Sequence, residues 1–217
     1  LYYNCMSDAK ISVSKKAIGH IEKKLTKDMV LGIGTGSTVN FFISELTKYK
    51  DHFYGAVSSS EASTKLLQEI GIEVFSLNDV NEVAYYIDGA DEVSPENYLI
   101  KGGGGAHTRE KIIASASNEF ICIVDKSKLV EKLGEFPLPV EVIPESRSLV
   151  ARKISSLGGT PIYRKGFKTD QGNQILDVKN MDMSQPESLE ALINNIPGVV
   201  DNGIFAFNKP EIVLVSD

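Results

Sequence analysis

Cysteine is scarce. The 217 residues hold two, Cys5 in a stretch read as an irregular start and Cys122 inside the apolar run Phe120 to Val124. Two such thiols make neither a disulfide framework nor a thiolate zinc site. Long apolar runs are missing too: no stretch approaches the ~20 residues needed to cross a bilayer. Leu1 to Thr26 also lacks the apolar stretch and small-residue cleavage site of a secretory signal. The expectation is a soluble, cytoplasmic protein without membrane contact, and Leu1 to Ser7 is given no functional weight. A basic excess is absent as well. With 23 Lys+Arg against 29 Asp+Glu the formal net charge is −6, which argues against nucleic acid as a partner. An anionic ligand would need a local positive pocket.

What is present is ordinary globular composition, 42% hydrophobic and 24% charged, which excludes disorder and collagen-like structure. The length fits one large domain, or a domain with a small appendage. There is no internal repeat or low-complexity tract.

Through the first 130 or so residues, short β-rich runs alternate with helical stretches, the pattern of a parallel α/β sheet. Strands are predicted at Met29 to Ile33, Tyr54 to Val57, Ile72 to Phe75, Val83 to Ile87, Tyr98 to Ile100 and Phe120 to Val124. Helices are predicted at Val39 to Leu46, from after Glu61 to Ile70 with Gly71 closing it, and from Thr108 to about Ser117. From about Glu135 the pattern changes. A strand at Val140 to Ile143 is followed by a helix (Ser148 to Leu157) and strands near Pro161 to Arg164 and Gln174 to Val178. A second helix (Glu187 to Ile196) and a strand at Gly203 to Phe207 complete the segment. That β-α-β-β-α-β order is ferredoxin-like. Ile212 to Val215 reads as a strand returning to the main sheet. The predicted organisation is therefore a Rossmann-like α/β domain of residues 1–134 plus 208–217, with a small α+β lid or oligomerisation domain at 135–207.

The first glycine-rich turn, Gly34-Thr35-Gly36-Ser37-Thr38, fits neither known nucleotide fingerprint. A dinucleotide loop would need glycine at 37 or 39, where the chain has Ser37 and Val39, and a P-loop would need a lysine that is absent. What remains is a strand-to-helix turn whose amides and hydroxyls can hold one anion, or simply a tight turn with an ordinary cap. Asp88 and Asp91 bracket Gly89-Ala90 at the carboxyl end of a predicted strand, where open α/β sheets bind ligands. Two carboxylates in one tight loop suit acid–base work or a divalent cation; a solvated Asp-Gly turn is the plain alternative. Lys101 precedes four glycines, Gly102 to Gly105. Such a run gives up chain entropy and offers no packing, so it suits a backbone that must approach something closely, its amides forming an anion nest. Nine positions after the lysine, Glu110 falls in the first turn of a helix, where it could equally just complement the helix dipole. Lys128 sits after another strand and could pair with an anion, though a solvated lysine is the commoner outcome. His20, His52 and His107 have no partners at metal-ligand spacing.

Taken in order, Gly34 to Thr38, Asp88-Gly89-Ala90-Asp91-Glu92, Lys101 to Gly105 with Thr108-Arg109-Glu110-Lys111, and Phe136-Pro137-Leu138-Pro139-Val140-Glu141-Val142 strongly resemble the type A ribose-5-phosphate isomerase family, from about Lys15 to Val215. The resemblance implies interconversion of ribose 5-phosphate and ribulose 5-phosphate in the non-oxidative pentose phosphate pathway, without metal or organic cofactor. It implies Glu110 as general base. Asp88, Asp91 and Lys101 become the other catalytic and substrate-contacting groups. Thr35, Gly36, Ser37 and Thr38, the Gly89-Ala90 turn, Gly102 to Gly104 and Lys128 become substrate-binding positions, and one of Lys15 and Lys16 would reach the phosphate. It further implies a homodimer or homotetramer. His107 departs from the family's apolar or small residue. The rival classes are a sugar-phosphate deaminase on a related scaffold, a sugar-phosphate sensor, and a metal enzyme using Asp88 and Asp91. A sensor would need an output module, and the segment after Gly134 is too small and acidic for a DNA-binding domain.

The isomerisation itself moves a proton between C2 and C1 of the open-chain sugar. It needs one base that takes and returns that proton, and fixed positive charge and donors for the enediolate.

Overall fold

A computed structural model describes residues 2–216; Leu1, at the head of the stretch read as irregular, lies outside them. In chain order the elements are α1 (Tyr2–Ile21), β1 (Val30–Ile33), α2 (Ser37–Leu46), β2 (Gly55–Ser58), α3 (Glu61–Glu69), β3 (Val83–Asp88), β4 (Glu92–Val93), β5 (Leu99–Ile100), α4 (His107–Ala116), β6 (Ser117–Val124), β7 (Leu138–Val142), α5 (Arg147–Ser156), β8 (Thr160–Tyr163), β9 (Gln174–Lys179), α6 (Pro186–Asn194), β10 (Val199–Asn202), β11 (Ile204–Phe205) and β12 (Ile212–Val215). No helix among the described residues is long and apolar enough to cross a membrane.

These elements form two compact units. The first takes the chain up to Gly89, Arg109–Lys128 and the chain from Pro210; the second takes Ala90–Thr108 and Leu129–Lys209. The second is larger than the 135–207 segment read from the sequence. It starts at Leu129 and gains the excursion that holds Asp91 and Lys101, because β11 pairs with β5 and β5 with β4.

The first unit is built on a five-stranded sheet of order β12-β6-β3-β1-β2, every pair parallel. Strands buried on both faces need apolar runs rather than alternation, which is why β1, β2 and most of β6 are buried throughout. The chain leaves β1 for β2 on one side and later returns to β3 on the other. At that switch point the carboxyl ends of β1 and β3 lie side by side, the usual ligand position in open α/β sheets. Helix α1 was not anticipated and replaces the irregular start. Val13, Ala17 and Ile21 recur one turn apart and are fully buried, with Ile18 beside them. Phe42, Ile43 and Leu46 bury one face of α2 as the spacing predicts. Ile72 to Phe75 forms no named strand and leaves one parallel bridge, Ala56 to Val74.

The second unit has an antiparallel sheet of order β10-β7-β9-β8, with α5 and α6 between its strands in the β-α-β-β-α-β sequence expected. Val150 and Ile154 of α5 and Leu189 and Ile193 of α6 join Val140, Val142, Leu176 and Val178 in its core. The strand expected at Gly203 to Phe207 is replaced by two. Val199–Asn202 pairs with β7, and Ile204–Phe205 pairs with β5. The switch occurs at Gly203, whose N–H donates to the Pro139 carbonyl (2.8 Å) and whose carbonyl accepts the Lys101 N–H (2.9 Å).

Candidate active site

In the first unit several of the expected site residues lie at the carboxyl ends of β1 and β3. Asp88 closes β3 and is 0% exposed. Its Oδ1 accepts the N–H groups of Thr35 (3.1 Å) and Gly89 (2.7 Å), and its Oδ2 accepts the Tyr86 hydroxyl. Tyr86 lies two residues back on the same strand and so on the same face. Burial, then the negative charges of Asp88 and Glu110, push its phenol well above the ordinary tyrosine value. Tyr86 is therefore held as the neutral phenol that donates to Asp88. Glu110, in the first turn of α4, is itself buried, at 4% exposure. The preceding Arg109 donates to Glu61 Oε1 (3.1 Å) and to the Ser58 carbonyl (3.2 Å), fixing this turn against the start of α3.

The βα turn is tied down on both sides. Gly34 gives its carbonyl to the Ser63 hydroxyl (2.6 Å), and Thr35 Oγ1 lies 2.7 Å from Ser59 Oγ. Helix α2 begins at Ser37, two residues earlier than predicted, with Gly36 as its N-cap and no side-chain cap bond. Its first amides are thus not occupied by a capping side chain. Lys10, on α1, donates to Ser37 Oγ at 2.8 Å and places a cation at this positive helix end. Of the lysine pair named by the resemblance, Lys16 donates to the Val215 carbonyl (3.0 Å) and Lys15 is exposed.

In the second unit Lys101 is 3% exposed, its Nζ 5.5 Å from the Phe205 ring centroid. The glycine run follows as a turn, Gly105 N–H donating to the Gly102 carbonyl at 2.9 Å. Asp91 Oδ2 accepts the Gly103 N–H at 2.9 Å. A Cβ at Gly103 would stand 2.8 Å from Asp91 Oδ1, so only glycine lets the carboxylate approach this closely. Arg164 donates to the carbonyls of both Gly102 and Gly103, each at 3.2 Å. His107 is buried against Gly102, with Nε2 3.2 Å from the Asp201 carbonyl. Thr108 does not cap α4. It lies within the helix and its hydroxyl donates to buried Glu141, which also accepts from Thr169 (2.7 Å) and Asn173 (3.0 Å).

The structure thus joins Thr35 and Tyr86 to Asp88 through hydrogen bonds; separately, it joins Asp91 to the glycine turn that follows Lys101. Gly89 and Ala90 are half-buried at the end of β3, and Thr38 lies in the first turn of α2. Gly104 is exposed. Lys128 ends the short Lys126–Lys128 turn and donates its own N–H to Asp125 (3.1 Å), half-buried and bonded to none of the other predicted residues. Sequence reasoning did not find Tyr86, Lys10 or Arg164. Only Tyr86 carried a local signal, its two-residue spacing from Asp88 on one strand face.

A parallel sheet whose switch point carries a helix N-terminus, a lysine and buried carboxylates is the arrangement of an α/β enzyme for a small anionic substrate. Residues 55–217 match the family described as ribose 5-phosphate isomerase A (phosphoriboisomerase A). The ribose-5-phosphate isomerase A of Legionella pneumophila (strain Corby) is 56% identical over 211 residues, 97% of this chain and 96% of its own. The crystal structure of ribose 5-phosphate isomerase A from Neisseria gonorrhoeae superposes with a TM-score of 0.90 at 48% identity, covering 96% of this chain and 91% of that one. For the Methanocaldococcus jannaschii enzyme the values are 0.89 and 44%, with 97% and 95% covered. The chain belongs to the ribose-5-phosphate isomerase A family. It is an isomerase that interconverts ribose 5-phosphate and ribulose 5-phosphate, a step of the pentose phosphate pathway, and its substrate is a sugar phosphate.

Proposed function

We propose that Glu110 is the single base of this isomerisation, taking the proton from C2 of the open-chain aldose and returning it to C1. The observation that carries the assignment is a carboxylate buried in the first turn of α4, close enough to Tyr86 to perturb its phenol. A base fixed by its helix can carry hydrogen between C2 and C1 on one face of the enediolate, exchanging with solvent while that intermediate lasts. Asp88 and Asp91, each held by backbone N–H donors, hold sugar hydroxyls and pass a proton during ring opening. The 1,2-enediolate needs positive charge and donors that are already in place, which the Lys101 ammonium and the amides of Gly102, Gly103 and Gly104 supply without a metal ion or organic cofactor.

The phosphate belongs at the Thr35, Gly36, Ser37 and Thr38 turn, where the first amides of α2 and the Lys10 ammonium favour a dianion, with Lys128 as a further cation and Gly89 and Ala90 shaping the floor. Its binding energy orients the reacting carbons. A relative solved in complex with phospho-erythronic acid, a phosphorylated sugar acid, at 36% identity is in keeping with an anion-binding site. The deciding experiment is incubation of ribose 5-phosphate with the protein in D₂O. Ribulose 5-phosphate carrying solvent deuterium at C1 is expected from wild type, and none from Glu110→Gln. Normal turnover by that variant would remove Glu110 from the role.

We also propose the cytoplasm as the place of action, since a phosphorylated sugar does not cross a bilayer. A homodimer, or a dimer of two such dimers, would use the free edge of the second unit's sheet. There β8 is the terminal strand, and Ile162 on it is 48% exposed. An open apolar edge favours pairing with a second copy. Light scattering of Ile162→Lys should show a smaller species than wild type, and an unchanged mass would reject this edge.

A further inference from the structure

Arg164 follows β8 and is joined to a carboxylate by two hydrogen bonds, Nε to Asp177 Oδ2 at 2.9 Å and Nη2 to Asp177 Oδ1 at 2.6 Å. Its main-chain N–H continues the hairpin by donating to the Ile175 carbonyl at 2.9 Å. The guanidinium lies 5.2 Å from the Phe167 ring centroid, and Phe167 packs where a side chain on residue 105 would be. Asp177, Phe167 and the hairpin therefore fix both the plane and the position of the group. Its outward donors meet two consecutive carbonyls of the glycine turn, Gly103 through Nη1 and Gly102 through Nη2.

A trans peptide sets its N–H opposite its C=O. Holding the Gly102 carbonyl directs the Gly103 N–H the other way, and that N–H is the one bonded to Asp91. Holding the Gly103 carbonyl does the same for the Gly104 N–H, at a position where a Cβ would meet nothing within 4 Å. A cation on the carbonyl side also polarises each peptide and strengthens its amide as a donor.

We propose that Arg164 is a positioning residue for the isomerisation: by gripping two peptide carbonyls from behind, it aims the Gly103 and Gly104 amides and, through the former, the carboxylate of Asp91. The inference rests on the reading that this turn serves the enediolate. Arg164 touches no substrate and acts only through the turn.

The test compares Arg164→Gln, Arg164→Lys and Asp177→Asn with wild type. Arg164→Gln should lower kcat by about 30-fold while KM for ribose 5-phosphate changes less than about threefold, since the interaction lost is one made in the transition state. Affinity for a phosphorylated aldonic acid, whose carboxylate probes the turn's amides, should fall by a similar factor. Affinity for the uncharged phosphorylated alditol should stay at the wild-type value. Arg164→Lys should recover part of the loss. Asp177→Asn keeps the guanidinium and its volume but loosens its anchor, so it should shift the same ratios in the same direction even if Arg164→Gln folds poorly. In ¹⁵N-glycine-labelled protein without ligand, the amide signals of Gly103 and Gly104 should move in both neutralising variants. Unmoved signals, wild-type kcat in a folded Arg164→Gln, or equal weakening of both ligands would overturn the proposal. Glu110→Gln assayed in parallel separates the two readings, since full turnover there condemns the site assignment whatever Arg164 does.

Discussion

The carboxyl group of Asp88 fills the space that a side chain on residue 34 would need: a Cβ on Gly34 would lie 2.0 Å from Asp88 Cγ and 2.1 Å from Oδ1. Two backbone N–H groups and the Tyr86 hydroxyl pin that carboxylate in a fully buried position. It cannot swing aside as the end of an exposed side chain would. Gly34→Ala must therefore expel Asp88 or move β1 away from β3. A loss of stability of about 1–3 kcal/mol is expected from overpacking. Under the proposed assignment turnover should fall by at least about 100-fold, because a displaced Asp88 would lose its near-attack geometry. Thermal melts and steady-state assays check both, and a variant with wild-type kcat would mean that Asp88 is not needed where it stands.

Tyr86 gives a prediction in pH. Its folded-state pKa is raised, by burial first and then by Asp88 and Glu110, so the neutral phenol is favoured in the fold. The stabilisation is fully present below the ordinary tyrosine value near ~10 and is lost as pH rises above it, where the unfolded chain ionises and the folded one resists. In an alkaline titration followed by tyrosinate absorbance, at least one of the eight tyrosines should stay neutral until the protein unfolds. Tyr86→Phe should remove that late component. It should also cost about 1–3 kcal/mol at neutral pH by taking one donor from a buried carboxylate. Ionisation of all eight tyrosines in the folded protein would contradict the placement of Tyr86.

Much of this was legible in the sequence, and the reason is local. Strands β1, β3 and β6 are largely buried in a parallel sheet, and they and the half-buried edge strand β12 read as apolar runs. The glycine turns and paired aspartates announce themselves by composition. What escaped is set by distant pairing. Gly203 to Phe207 is as strand-like as any segment, but the backbone of Gly203 is claimed by Lys101 and Pro139, so only Ile204–Phe205 is a strand there, and Val199–Asn202 just before it joins the other sheet. The same pairing draws the Lys101 excursion into the second unit. The partners of the site escaped for a similar reason. Lys10 is 27 residues from Ser37, and Arg164 is 61 from Gly103; no spacing rule connects residues that far apart. Helix α1 is different, since the one-turn recurrence of Val13, Ala17 and Ile21 is a helical signal carried by the sequence itself.

Under the proposed assignment, Glu110→Gln should abolish isomerisation while leaving sugar-phosphate affinity within about threefold, because the amide keeps the carboxylate's shape and loses only its basicity. Calorimetric titration with an inert phosphorylated sugar acid reads binding, and the deuterium assay reads chemistry. Loss of both together would point to a structural role for Glu110.

Prolonged dialysis against EDTA should leave activity at the wild-type level if, as proposed, the lysine and glycine amides give the charge stabilisation that a divalent ion otherwise gives. Sustained inactivation, reversed only by adding a divalent ion back, would transfer Asp88 and Asp91 to a metal-binding role.

Lys101 provides the sharpest test of how the enediolate is held. The ammonium is 3% exposed and stands against an aromatic face, a position in which a charge acts on whatever lies beside it with little screening by water. If its work is done on the enediolate rather than on the neutral sugar, Lys101→Met should cut kcat by about 100-fold or more and change KM by only a few-fold, the signature of an interaction made mainly in the transition state. Equal loss in both parameters would instead make Lys101 a ground-state binding group. Borohydride trapping of substrate on wild-type protein, with none on Lys101→Met, would replace the proton-transfer account with an imine. With the single base at Glu110 the trap should stay empty, since moving hydrogen between C2 and C1 requires no bond from the sugar to nitrogen.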